Sequence, residues 1–167
     1  MRLYVDGNDL LAYFAEQEDP FLIKADPMKS REELARWLAR YCEAAECDAL
    51  LVFDDNQPEE VLPPTERVGR TTVVNTPYGV EARTEIAGPA NRAAAEERTL
   101  VVTSDVRLMQ VLERGRARVV DPGRFVARAR GMMRKGDEGS SSEPDEKFTG
   151  LTDEDVGFWL EYFKTEE

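Results

Sequence analysis

Three places in the sequence put an aspartate at the end of a short, mostly apolar run. Asp6 follows Leu3-Tyr4-Val5, Asp54 (with Asp55 beside it) follows Leu50 to Phe53, and Asp105 follows Val101-Val102-Thr103-Ser104. Neighbouring strands of a parallel sheet lie about 5 Å apart, so carboxylates at their carboxyl ends can share one hard divalent cation such as Mg²⁺ or Mn²⁺. Such an ion would polarise a phosphodiester and lower the pKa of an attacking water. That chemistry suits a chain with 34 acidic residues and no histidine, which lacks the usual neutral-pH base and the His-based triads. Each acid taken singly has a plainer use: an aspartate at a strand-to-helix turn caps the helix, as Asp105 would for a helix starting at Val106.

The elements that must position these acids alternate. Arg2 to Val5 reads as a strand, Asp6-Gly7-Asn8-Asp9 as a turn, and Leu10, Leu11, Tyr13 and Phe14 as the apolar side of a first helix. Ser30 with Glu33 has the form of a capping box, and Leu34, Trp37, Leu38, Tyr41 and Ala45 then share one face of a long helix ending near Cys47. Ala49 to Phe53 is a buried strand, with a loop marked by Pro58, Pro63 and Pro64 after it, and Thr71 to Val74 is a third strand. Glu81 to Glu97 reads as helix, broken or kinked at Gly88-Pro89. Leu100 to Thr103 is a fourth strand, Val106 to Glu113 a helix, Ala117 to Val120 a fifth strand, and Asp121-Pro122 opens a helix containing Phe125 and Val126. The expected fold is a doubly wound α/β domain with a mostly parallel five-stranded sheet, binding its ligand outside the carboxyl ends of the strands.

Two of these turns resemble a known family. Val5-Asp6-Gly7-Asn8-Asp9-Leu10 resembles the Asp-Gly-aromatic-Asn signature after the first strand of NYN domains, and Val102-Thr103-Ser104-Asp105 resembles their Thr-Ser-Asp motif; Val52-Phe53-Asp54 fits the family's second strand. The resemblance is to the PIN-like NYN family, its YacP-like bacterial branch in particular, over residues 1–130. It implies a three-layer, Rossmann-like domain and a cytoplasmic endoribonuclease dependent on Mg²⁺ or Mn²⁺, acting on single-stranded or ribosome-associated RNA. It also implies roles for Asp6 and Asp105 as metal-site acids and Asp54 as a third catalytic acid, with Asp9, Glu81, Glu85 and Ser104 in support. The chain departs from the family in two places. Asp9 stands where the family has Asn, and Arg83, in Glu81-Ala82-Arg83-Thr84-Glu85, stands where it has an acid. A guanidinium repels a cation, so either Glu81 or Glu85 substitutes, or the domain is catalytically degenerate and binds RNA or a protein instead.

Charge is divided along the chain. The net charge is −12, yet residues 136–167 hold eleven acids against two lysines, while residues 107–135 hold nine basic residues against two acids. Arg107, Arg114, Arg116 and Arg128 in that basic stretch are candidates for RNA contact, provided that they share one surface. Residues 131–150, rich in Gly, Ser and charge, are expected to form a flexible linker. Residues 151–167 are expected to form a short acidic amphipathic helix with Val156, Trp159, Leu160 and Phe163 in one stripe, packed on its own domain or on a partner.

No stretch has the roughly 20 apolar residues of a membrane span, and the N-terminus runs into a strand pattern without a leader, which predicts no membrane association and no export. Cys42 and Cys47 lack metal-ligand spacing and suit buried thiols in a reducing cytosol. A homodimer is compatible with all of this. Receiver-like and flavodoxin-like domains also gather acids at this edge. However, no Lys follows the fifth strand as a receiver requires, and no Ser/Thr/Gly-rich phosphate loop follows the first as a flavodoxin requires.

Overall fold

The computed structural model describes residues 1–54 and 62–138. They form β1 (Arg2–Asp6), α1 (Gly7–Glu16), α2 (Pro27–Ala44), β2 (Asp48–Phe53), β3 (Thr65–Val68), β4 (Thr71–Asn75), α3 (Ala82–Glu96), β5 (Thr99–Val102), α4 (Val106–Leu112), β6 (Arg118–Val120) and α5 (Pro122–Glu138). The sheet has six strands in the order β3-β4-β2-β1-β5-β6. All pairs are parallel except β3 with β4.

Strand alternation divides the core between the two faces. Leu3 and Val5 of β1 and Ala49, Leu51 and Phe53 of β2 point towards α1, α2 and α5. There Phe14, Trp37, Phe125 and Tyr41 make a chain of edge-to-face ring contacts with centroids 5.1–6.1 Å apart. Tyr4, Val52 and Val101 point to the other face, where Ala82, Ile86, Ala90 and Ala94 of α3 and Leu108 and Leu112 of α4 cover them. No helix of the described residues is long and apolar enough to cross a membrane.

Four local expectations change. The sheet gains β3, a strand of mostly exposed Thr-Glu-Arg-Val that carries no apolar alternation because it is an edge strand with one neighbour. Gly69, at φ +56°, turns it into β4. Helix α2 begins one turn early: Asp26 caps it by accepting from the Met28 N–H at 2.9 Å, with Pro27 in the first turn. Ser30 is buried inside that turn, where its Oγ accepts from the Lys24 N–H at 2.8 Å, so no capping box forms with Glu33.

Helix α3 runs through Gly88-Pro89 without a break. Proline removes one backbone hydrogen bond, but Ile86, Ala90 and Ala94, four residues apart, are all buried on the sheet and hold the helix on either side of it. Helix α5 continues eight residues into the expected linker, to Glu138, because Met132 is buried beside Ala129. That burial outweighs the roughly 1 kcal/mol that Gly131 costs a helix. The remainder of the linker and the acidic tail helix lie outside the described residues.

The two cysteines are buried and free. The Cys47 N–H donates to the Cys42 carbonyl at 3.0 Å and the Glu46 N–H to the Glu43 carbonyl at 3.3 Å, with Glu46 at φ +49°. This is a Schellman ending, which brings residues 42 and 47 together as an apolar contact.

Candidate active site

Strand β1 lies between β2 and β5, so the turns after these three strands open side by side at one edge of the sheet. Asp6 ends β1 and caps α1, its Oδ1 accepting from the Asp9 N–H at 3.2 Å. Gly7 follows, packed so closely that a Cβ would lie 2.5 Å from the Phe53 ring and 2.8 Å from the Val52 carbonyl oxygen. That approach carries the first turn of α1 across the end of β2. There Asn8 Nδ2 donates to the Asp54 carbonyl at 3.3 Å, while Asn8 Oδ1 is buried with no hydrogen-bond partner among the described residues.

Asp9 reaches the other way, to the turn after β5. Its Oδ2 accepts from Thr103 Oγ1 at 2.8 Å and from the Ser104 N–H at 2.6 Å. The same Thr103 hydroxyl accepts from the Asp105 N–H at 3.0 Å, and Asp105 caps α4 by accepting from the Arg107 N–H through Oδ1 at 2.8 Å. After β2, Asp54 Oδ2 accepts from the Ala82 N–H at 2.8 Å and so fixes the start of α3. Its carbonyl also accepts from Arg31 Nη2 at 3.2 Å, and the Arg31 guanidinium lies over the Phe53 ring.

Each of the four aspartates is thus held through one carboxylate oxygen; the other oxygen of Asp6, Asp9 and Asp54 accepts nothing from the described residues, while that of Asp105 faces a guanidinium. The crowding shows in the protonation of Asp6, whose pKa rises from 3.8 to about 7. Burial is the main cause and repulsion from Asp9 the next; the Asp9 N–H bond pulls the other way, and Asp54 and Asp105 add further repulsion. No three acids among the described residues converge closely enough to hold an ion as their side chains stand. The donor set nevertheless fits a hard cation: second carboxylate oxygens on Asp6, Asp9 and Asp54, an amide oxygen of Asn8 with no partner among the described residues, and repulsion among the acids that adds to burial in raising the Asp6 pKa.

Arg83 lies at this edge. Its Nη2 pairs with Glu81 Oε2, and its Nη1 stands 3.8 Å from Asp105 Oδ2. Glu81 is therefore committed to Arg83, and Glu85 sits in the first turn of α3. Ser104 takes part through its backbone N–H, its residue being exposed. The four arginines lie on three different segments. Arg107 is exposed beside the acids, Arg114 and Arg116 lie in the turn leading into β6 at the opposite edge, and Arg128 belongs to α5 on the other face of the sheet.

Thr103 and Asn8, which bridge the turns, are not among the residues predicted for the site. Their signal was present, since both fall inside the two motifs that carry the acids, but a contact between Asp9 and Thr103 spans 94 residues.

Comparison with known proteins agrees with this architecture. Crystal structures of Rae1 (YacP) from Bacillus subtilis superpose with TM-scores of 0.66. A single-residue variant is 18% identical and matched over 99% of this chain and 94% of its own; a second structure is 20% identical, over 84% and 79%. These likenesses establish the fold. No curated protein sequence matches. The family model described as a YacP-like NYN domain matches residues 3–154. Family model, sheet order and the motifs ending β1 and β5 agree: this chain belongs to the YacP-like NYN domain family, with its nuclease-like fold.

Proposed function

We propose that the domain is a cytoplasmic metal-dependent endoribonuclease that hydrolyses RNA phosphodiesters at the carboxyl edge of its sheet. The observation that carries this reading is Asp6, a buried carboxyl at the end of the central strand whose pKa is raised to about 7, mainly by burial and then by repulsion from Asp9, with Asp54 and Asp105 adding to it. Asp6, Asp9 and Asp105 would hold a Mg²⁺ or Mn²⁺, with Asp54 completing the negative wall. Bound there, the cation would supply charge neutralisation for the phosphodiester and activation of a water. The chain's own part is to fix the acids before substrate arrives: Thr103 locks Asp9 to the β5 turn, and Asp54 locks α3 to β2. With no histidine in the chain, the carboxylates at this edge are the acid–base groups in place for proton transfer. Single-stranded or ribosome-associated RNA is the substrate class, in keeping with the family.

Arg83 favours one alternative. Its guanidinium, beside Asp105 and paired with Glu81, can act as an internal counter-ion in place of a metal, leaving a degenerate domain that binds RNA or a protein. Cleavage of a single-stranded RNA in Mn²⁺, with and without a chelator, separates the two readings. A nuclease cleaves in the wild type, stops on chelation, and loses at least about a hundredfold in rate in Asp105→Asn, as expected when one preorganised charge is removed. Cleavage that appears only in Arg83→Asp establishes the degenerate domain.

A further inference from the structure

The geometry points to the groove between α2 and α5 as the docking site for the chain's own C-terminal segment, residues 152–167. The groove lies on the face of the sheet away from α3 and Arg83. Arg40 of α2 and Ala127, Arg130, Met133 and Arg134 of α5 line it. It runs into a second hollow that shares Arg40 and Arg130 and is walled by Phe21 and Trp37. Phe21 is 79% exposed. Its backbone is held there: the Asp19 carboxylate accepts from the Phe21 N–H at 2.9 Å and from the Leu22 N–H at 3.3 Å, and it pairs with Arg130 at 2.5 Å. An apolar ring exposed to water on a held turn, beside an apolar floor, is a surface suited to a partner. Arg40 and Arg134 make no ion pair among the described residues, so two guanidiniums flank that floor uncompensated.

The C-terminal segment has the complementary chemistry. Val156, Trp159, Leu160 and Phe163 recur at helical spacing, and the acids Asp153, Glu154, Asp155, Glu161, Glu166 and Glu167 accompany a single Lys164. A segment of this length does not hold a helix alone in water, so its stripe needs a surface to form on. Helix α5 ends at Glu138, one turn beyond Arg134. Residues 139–151 reach at most about 45 Å when extended, ample to return to a groove that begins one turn upstream. Apolar stripe meets apolar floor, and acids meet Arg40 and Arg134.

Hydrogen exchange of the full-length chain tests this. Residues 152–165 should exchange at least about tenfold more slowly than an unstructured peptide, equally so after tenfold dilution. The double variant Arg40→Glu/Arg134→Glu, at two exposed positions that leave the core intact, should bring them to the unstructured rate. Trp159→Asp should in turn speed exchange around Phe21. Unstructured rates in the wild type, or protection that survives the double charge reversal, would overturn the proposal. So would protection that falls on dilution, which would make a second copy the donor of the segment.

Discussion

Asp6→Asn should make the domain more stable at pH 8, by up to about 4 kcal/mol, while abolishing cleavage. The sign follows from the direction of the shift. The folded state raises the Asp6 pKa from 3.8 to about 7, so it binds a proton more readily than the unfolded chain does. The contribution of this carboxyl is therefore fully favourable below about pH 4 and is lost as pH rises through 7. Asparagine imitates the protonated form, keeps an oxygen to accept the Asp9 N–H, and carries no charge to be repelled by Asp9, Asp54 and Asp105. Urea melts at pH 5 and pH 8 should show wild-type stability falling over that interval while the variant changes little. Millimolar Mg²⁺ should restore the wild type alone. A variant weaker than the wild type at both pH values would show that the site is not electrostatically strained.

Gly7→Ala should cost about 3 kcal/mol, against the rule that alanine favours helices over glycine by about 1 kcal/mol. The residue opens α1, where alanine would ordinarily help. The obstacle is the Phe53 ring, 2.5 Å from the added carbon, and behind it the Val52 carbonyl of β2, at 2.8 Å. Backbone oxygen does not yield as a side-chain tip does, so α1 must lift from the end of β2. Asp6 and Asp9 flank the glycine and would move with it, so activity should fall together with stability. A denaturation midpoint equal to that of the wild type would mean that α1 tolerates displacement and does not set the site.

Much of this edge could be read from sequence because its signals are local. An apolar run ending in aspartate marks β1 and β2, and β5 ends in Thr103-Ser104-Asp105, while a parallel sheet forces their ends together. What escaped is what depends on tertiary contact. β3 shows no apolar alternation because it is an edge strand whose first three residues are exposed and only Val68 reaches the core, and α3 passes through Pro89 because burial of Ile86, Ala90 and Ala94 overrides a lost hydrogen bond. α5 outlasts Gly131 for the same reason, through Met132. The basic stretch is continuous along the chain, yet α4 runs back between the parallel β5 and β6 and so sets Arg116 at the opposite edge from Arg107. Asp9, which stands where the family has asparagine, is the residue that ties the first motif to the second.

Paramagnetic line broadening on titration with Mn²⁺ tests, without any choice of substrate, whether the edge binds a divalent cation through Asp6, Asp9 and Asp105. The amide signals of Asp6, Asp9, Ser104 and Asp105 should be lost selectively at low Mn²⁺, more strongly at pH 8 than at pH 6 because Asp6 must shed its proton first. Uniform broadening, or broadening confined to other acids, in both the wild type and Arg83→Asp would contradict such binding.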